Sequence, residues 1–151
     1  MKTIGIIGGG QLGLMIAEQA HVLGVRAVAL DPAPDAPAFR VCDDHIVAAY
    51  NDAEALERLC RMSDAVTYEF ENVPGDILIP LSEKYNIPQG YRPLYDSQDR
   101  VREKSNARDH GLRTPAFAAV DDEASLRAAV RELGLIAGSI QFCAVETIVS
   151  I

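Results

Sequence analysis

Hydrophobic and polar residues follow one another in a pattern that predicts alternating strands and helices. Residues 3–7 form a short β-rich run that stops at three consecutive glycines. Beyond them, apolar residues recur at helical spacing, and a glycine then closes the predicted helix. Residues 25–30 form a second apolar run, typical of a buried parallel strand. The apolar positions of the helix are Leu12, Met15, Ile16, Ala20 and Leu23.

The same alternation continues along the chain and predicts an α/β fold. We expect a Rossmann-like parallel sheet flanked by helices over residues 1–111, followed by a second small unit over residues 112–151. The further predicted elements are a strand at 45–48, a helix at 53–61, a strand at 65–68, a helix after Pro74, a charged helix capped by Asp96 or Ser97 and ending near His110, and a helix capped by Asp121 or Asp122.

Proline is concentrated between residues 31 and 37, directly after the second predicted strand. Each proline fixes φ and removes a backbone donor, so we expect an extended loop that leaves the carboxyl end of the strand. Loops at this edge of a parallel sheet commonly line a ligand crevice.

Composition and charge narrow the classes of function. The 151-residue chain has a formal charge of −8, which argues against nonspecific nucleic-acid binding, since that requires clustered Lys and Arg. No apolar run approaches the roughly 20 residues that cross a bilayer, so no membrane partner is expected. The first residues lack the features of a signal peptide, and we expect a cytoplasmic protein.

The first motif that carries chemistry is Gly8-Gly9-Gly10-Gln11-Leu12-Gly13, which satisfies GxGxxG between a strand and a helix. Such a turn lets a ligand approach the backbone, and the amides at the helix start favour an anion. Asp31 ends the next strand, where a dinucleotide fold places its ribose-binding carboxylate. This pattern alone indicates an NAD(P)-binding domain of an oxidoreductase. Alternatively, the glycines serve only a tight turn.

A second motif, Glu69-Phe70-Glu71, follows the predicted strand at 65–68. The two carboxylates point the same way if the backbone stays extended, because side chains alternate along a strand. They would face the same crevice as Gln11. Carboxylates there are suited to accept hydrogen bonds from ribose hydroxyls or an amine, or they make surface ion pairs.

Three segments together resemble one family. GGGQLG with Leu30-Asp31-Pro32, the run YEFENVP at 68–74 and the run QDRVREK at 98–104 are similar to the N5-carboxyaminoimidazole ribonucleotide synthetases, which are ATP-grasp ligases. The resemblance extends to about residue 134. It implies that residues 1–111 are a pre-ATP-grasp domain.

The resemblance also implies a reaction and its site. Members carboxylate 5-aminoimidazole ribonucleotide with bicarbonate, using ATP and Mg²⁺, in de novo purine biosynthesis, and a homodimer is a further expectation. Arg100 and Lys104 would contact ATP phosphates, for which a guanidinium fork is well suited. The substrate would be held by Gly10, Gln11, Leu12, Glu69 and Glu71.

The chain departs from the family after residue 134. A member should continue into a strand with an ATP-binding lysine and a glycine-rich loop, but no lysine or arginine follows Arg131. Family metal ligands and catalytic residues are therefore not expected in this chain, and we expect no turnover from it alone. Its apolar tail at 136–151 leaves open a noncatalytic interaction module, in which the tail is an oligomer contact.

Overall fold

The computed structural model describes residues 1–69 and 73–133, together with the backbone of two strands at 141–143 and 148–150. The chain divides into two compact units, Met1–Leu94 and Tyr95–Ile151. From the sequence we predicted that a second domain begins at residue 112, and that domain boundary stays a prediction.

A four-stranded parallel sheet forms the centre of the first unit. Its spatial order is β3-β2-β1-β4, with every neighbouring pair parallel. The chain moves outward from β1 to β3 and then returns to the other side of β1, so the carboxyl ends of β1 and β4 meet where the strand order reverses. The strands are β1 (Thr3–Ile7), β2 (Arg26–Asp31), β3 (Asp44–Val47) and β4 (Ala65–Tyr68).

Helices cover both faces of this sheet, as the sequence predicted. They are α1 (Gln11–Val22), α2 (Ala53–Arg61) and α3 (Gly75–Lys84), and a 3-10 helix lies at Pro37–Arg40. On one face, Ile6 packs with Ala17 of α1. On the other face, Ile7 packs in a cluster with Leu56 of α2 and Leu78 of α3. Neighbouring residues of β1 therefore pack on opposite faces of the sheet, because side chains alternate along a strand.

The segment after β2 is a compact turn and not the extended loop that the prolines predicted. Asp31 Oδ1 accepts a hydrogen bond from the Ala33 amide at 2.8 Å, and the Ala36 amide donates to the Ala33 carbonyl at 3.1 Å. These local bonds turn the chain back toward the sheet and lead into the 3-10 helix. The local polar contacts therefore outweigh the preference of proline-rich sequence for extended backbone.

Two further helices, α4 (Arg92–Ser97) and α5 (Arg100–Asp109), occupy the region predicted to be one charged helix. The predicted caps at Asp96 and Ser97 are wrong, because both residues lie within α4. Asp99 caps α5 instead, and its Oδ1 accepts from the Arg102 amide at 2.7 Å. Asp99 thus satisfies one of the amide donors that a helix start leaves without an intrahelical partner.

The remaining elements lie in the second unit. The predicted cap at Asp122 is confirmed, since its carboxylate and Ser125 form a capping box at the start of α6. The strands form an antiparallel sheet of order β5-β7-β6. Throughout the described ranges, no helix has the length and apolar character needed to span a membrane. These elements are β5 (Phe117–Ala119), α6 (Glu123–Glu132), β6 (Gln141–Cys143) and β7 (Ile148–Ser150).

Candidate functional site

The glycine turn between β1 and α1 needs several of its glycines for its own geometry. Gly8 has a φ of 112°, a conformation that side chains disfavour. A Cβ on Gly13 would lie 2.3 Å from the Gly8 carbonyl oxygen, and one on Gly9 would lie 2.8 Å from the Cβ of Asp31. The turn therefore excludes side chains at these positions before any ligand is considered.

Asp31 supports this turn from the end of β2. The residue is only 8% exposed, and its Oδ2 accepts from the Gly9 amide at 2.7 Å and from the Tyr50 hydroxyl at 2.6 Å. Burial, followed by the hydrogen bond to Asp31, raises the pKa of Tyr50, so the hydroxyl stays protonated as a donor. Because Oδ1 bonds to Ala33, both carboxylate oxygens are engaged inside the protein.

Glu69 reaches the same turn from the neighbouring strand. It follows β4, whose Tyr68 lies opposite Ile7 of β1, and its Oε1 accepts from the Gly10 amide at 3.1 Å. A Cβ on Gly10 would lie 3.1 Å from that oxygen, so only a small residue leaves it room. The half-buried Glu69 carboxylate and the glycine turn thus meet at the carboxyl ends of β1 and β4.

The predicted substrate residues of α1 lie beside this contact. Gln11 and Leu12 are both exposed in the first turn, and no side chain caps the helix at Gly10. Leu12 and Glu69 line one open groove of about 570 Å³, whereas Gln11 is not among its lining residues. Glu71 lies outside the described residues. The structure therefore brings together Gly10, Leu12 and Glu69, with Gln11 adjacent to Gly10 along the chain.

The residues predicted to contact ATP lie on α5 in the second unit. Arg100 is exposed and forms an ion pair with Glu103 one turn away. Lys104 is only 7% exposed, and its ammonium lies 5.4 Å from the centre of the Phe117 ring. A ring face stabilises a buried cation. Arg100 is thus accessible to a phosphate, whereas Lys104 is held within its own unit.

A magnesium site does not fit the residues that the structure describes. Within residues 1–69 and 73–133, no three His, Cys, Asp or Glu side chains are grouped so that they are able to hold a metal ion. The carboxylates of Asp31 and Glu69 instead accept hydrogen bonds from backbone amides at the glycine turn.

Known proteins with the same domain identify the family. Residues 1–92 match the model of the ribonucleotide synthetase preATP-grasp domain. The chain belongs to this preATP-grasp family. The match includes the whole sheet of the first unit, the glycine turn and Glu69, so the family assignment covers the candidate site.

Several relatives of this preATP-grasp domain have names and solved structures. The N5-carboxyaminoimidazole ribonucleotide synthase of Staphylococcus haemolyticus is 46% identical over 132 residues, which are 87% of this chain and 35% of that protein. The Staphylococcus aureus N5-carboxyaminoimidazole synthetase complexed with ADP has a TM-score of 0.85 and 44% identity, covering 88% of this chain and 36% of the other.

A more distant structure has a ligand pair bound. The N5-carboxyaminoimidazole synthase of Aspergillus clavatus, in complex with ADP and 5-aminoimidazole ribonucleotide, has a TM-score of 0.80 at 27% identity, with 88% of this chain and 36% of the other covered. The present chain therefore spans about a third of the length of the relatives that it matches.

Proposed function

We propose that this chain is the substrate-side domain of an ATP-dependent ligase that carboxylates 5-aminoimidazole ribonucleotide with bicarbonate. The product would be N5-carboxyaminoimidazole ribonucleotide, in de novo purine biosynthesis. Family membership and the names of the relatives support this proposal. The contact between Glu69 and Gly10, at the point where the strand order reverses, is the structural observation that carries it.

The geometry suits a polar, uncharged part of the substrate. Glu69 and Asp31 place two carboxylates on consecutive amides of the glycine turn, at Gly10 and Gly9. A phosphate at those amides would meet negative charge, whereas a ribose hydroxyl or an amine donates to a carboxylate. We therefore assign Glu69 to the sugar or amine side, with the Gln11 amide and the backbone of Gly10 and Leu12 beside it, and Glu71 remains a further candidate.

The phosphoryl-transfer part of the reaction is assigned outside this chain. ATP, when bound in the complete enzyme, would supply the phosphoryl group that activates bicarbonate, with Arg100 as a phosphate contact and Lys104 as a second candidate. We assign magnesium and the catalytic groups to the region that the relatives carry beyond the matched third. Residues 112–151 would be the start of an ATP-grasp domain, and a cytoplasmic homodimer remains our expectation.

The dinucleotide alternative is not favoured by the site. In an NAD(P)-binding domain, the carboxylate after the second strand binds a ribose. Here Asp31 already accepts hydrogen bonds from Gly9, Ala33 and Tyr50, which use three of the roughly four acceptor positions of a carboxylate. The alternative of an interaction module rested on the tail at 136–151, and its side chains lie outside the described residues.

Isothermal titration with 5-aminoimidazole ribonucleotide tests the proposal. We expect Glu69→Gln to weaken binding by at least tenfold, equal to about 1.4 kcal/mol, because the amide cannot replace a charged acceptor. Gln11→Ala should weaken binding less. Glu18→Gln is the matched control, since Glu18 is exposed on α1 and makes no hydrogen bond or ion pair within the described ranges.

The S. aureus relative provides the reference for this titration. Equal affinities of the wild-type chain and Glu69→Gln would contradict the assignment of Glu69. Absence of heat from the wild-type chain, at concentrations where the relative is saturated, would contradict a substrate site in this domain. Binding of NADH in place of the ribonucleotide would support the oxidoreductase alternative.

A further inference from the structure

Tyr50 lies in the turn between β3 and α2, at the same carboxyl edge of the sheet as the candidate site. Just before it, the Ala48 amide donates to the Asp31 carbonyl at 3.2 Å, which attaches this turn to the end of β2. The ring of Tyr50 packs against the apolar cluster that includes Leu56 of α2. The backbone and the ring therefore hold the hydroxyl in a defined place.

The hydroxyl of Tyr50 holds a carboxylate that fixes the glycine turn at two points. It donates to Asp31 Oδ2 at 2.6 Å, and the same oxygen accepts from the Gly9 amide. Asp31 Oδ1 accepts from Ala33 and so begins the turn that leads to the 3-10 helix. Within that helix, the Ala38 amide donates to the Gly9 carbonyl at 2.9 Å. Asp31 thus constrains both the amide and the carbonyl of Gly9.

The peptide group between Gly9 and Gly10 connects this arrangement to Glu69. Because a trans peptide is planar, the Gly9 carbonyl and the Gly10 N–H point in opposite directions. The carbonyl is held by Ala38, and the N–H donates to Glu69 Oε1 at 3.1 Å. Glu69 Oε2 makes no hydrogen bond within residues 1–69 and 73–133. The turn therefore orients the carboxylate through one oxygen, and the other oxygen is able to accept from a ligand.

Tyr50 is also close to the negative charge of both carboxylates. Burial, followed by the hydrogen bond and charge of Asp31 and then by the charge of Glu69, raises the pKa of Tyr50. The hydroxyl therefore stays protonated and neutral. A neutral donor satisfies Asp31 without forming an ion pair with Glu69, so the charge of Glu69 remains for a substrate hydroxyl or amine.

We propose that Tyr50 is a positioning residue of the substrate site, which acts through Asp31 and the glycine turn to set the orientation of Glu69. The orientation of Glu69 depends only on hydrogen bonds within this chain. Its consequence for 5-aminoimidazole ribonucleotide rests on the proposed function. The competing interpretation is that the bond from Tyr50 to Asp31 only stabilises the fold.

Tyr85 provides a matched control in the same unit. Its hydroxyl also donates to a carboxylate, that of Glu57 at 2.9 Å, but this pair joins α2 to the end of α3 and makes no bond to the glycine turn. Tyr50→Phe and Tyr85→Phe are made in the present chain. Each variant keeps its ring and loses one hydroxyl donor, so we expect both to fold with a modest loss of stability.

Nuclear magnetic resonance without ligand tests the positioning itself. Tyr50→Phe should shift the amide resonances of Gly9 and Gly10 and the carboxyl carbon resonance of Glu69, whereas Tyr85→Phe should leave all three in place. The spectra are recorded at a temperature where both variants are fully folded, so a loss of stability alone moves none of these resonances. Unchanged Gly10 and Glu69 resonances in Tyr50→Phe would overturn the proposal, and so would equal shifts in both variants.

Titration with 5-aminoimidazole ribonucleotide tests the consequence for binding. Tyr50→Phe should weaken binding at least about threefold when Glu69 is present and have no further effect in Glu69→Gln, because residues that act through one another are not additive. Tyr85→Phe should leave the affinity unchanged. An equal loss of affinity with and without Glu69 would overturn the proposal. If the wild-type chain does not bind, the proposed function fails, and the resonances still decide whether Tyr50 positions Glu69.

Discussion

Asp31 shows how a single carboxylate changes its meaning once its neighbours are known. Asp31 ends β2 at the position where a dinucleotide-binding domain has its ribose-binding carboxylate. Here its Oδ2 instead accepts hydrogen bonds from the Gly9 amide and the Tyr50 hydroxyl. Removing either donor leaves a mostly buried carboxylate with less compensation for lost hydration. Its main effect is therefore on the shape and stability of the glycine turn.

This role predicts a stability effect at Tyr50. Tyr50→Phe should lower the free energy of unfolding by about 1–2 kcal/mol, because it removes a hydrogen bond to a charged acceptor. Tyr91→Phe is the control, since Tyr91 is exposed and its hydroxyl has no hydrogen bond within the described residues. Urea unfolding measures both variants. Indistinguishable values would show that the bond to Asp31 contributes nothing to stability.

At the scale of elements, hydrogen bonds join α2 to the end of α3, in addition to the apolar cluster that both helices form with the sheet. Glu57 of α2 accepts from the Lys84 ammonium at 2.5 Å and from the Tyr85 hydroxyl at 2.9 Å. The hydrogen bond from Lys84, followed by that from Tyr85, lowers the pKa of Glu57. The hydrogen bond to Glu57, followed by that with Tyr85, raises the pKa of Lys84.

These shifts predict a pH-dependent contribution to stability. The carboxylate of Glu57 contributes above its usual pKa of 4.5, and the contribution is lost as the pH falls through the lower pKa of the folded state. Glu57→Gln should therefore lower the melting temperature modestly at pH 7 and have a smaller effect at pH 3. Lys84 contributes below its usual pKa of 10.5 and loses that contribution at higher pH.

Glu83→Gln is the control for this melting series. Glu83 is exposed on α3 and has no ion pair in the ranges that the structure describes. Its substitution should leave the melting temperature nearly unchanged at pH 7. If Glu57→Gln lowers the melting temperature equally at pH 3 and pH 7, the charge of Glu57 does not contribute to stability.

At the scale of the molecule, the two large apolar clusters lie entirely within the first unit. One cluster joins the sheet to α2 and α3 and extends to Leu94, and the other joins the sheet to α1. Each fully buried aliphatic side chain contributes about 1.5–3 kcal/mol, so the first unit holds most of the apolar stabilisation in the described chain. The second unit has a smaller cluster around Val120 and Ala129.

This distribution predicts that a fragment of residues 1–94 folds by itself. It should show cooperative urea unfolding. Its m-value, the slope of the free energy of unfolding against urea concentration, should be smaller than that of the 151-residue chain, because less surface is exposed on unfolding. A fragment of residues 1–62 lacks β4 and α3, and it should lack cooperative unfolding. Circular dichroism distinguishes these outcomes, and an unfolded 1–94 fragment would place essential stabilisation in the second unit.

The amino-acid sequence by itself determined the four strands of the first unit, its helices α1, α2 and α3, and the layers that they form. Local pattern is sufficient for that, because the alternation in β1 assigns Ile6 and Ile7 to opposite faces and glycine closes α1 after residue 23. It also indicated that the carboxyl ends of β1 and β4 hold the candidate site, since both the glycine turn and Glu69 follow predicted strands. The family resemblance added the chemistry.

Only the tertiary structure decided how the polar groups are used. The bonds that define the site join residues distant in sequence: Asp31 with Gly9 over 22 positions, Tyr50 with Asp31 over 19, and Glu69 with Gly10 over 59. No local period encodes such pairs, because they depend on how strands assemble side by side. For the same reason, the sequence presented Asp31 as a ligand, whereas the folded chain uses it to hold the turn.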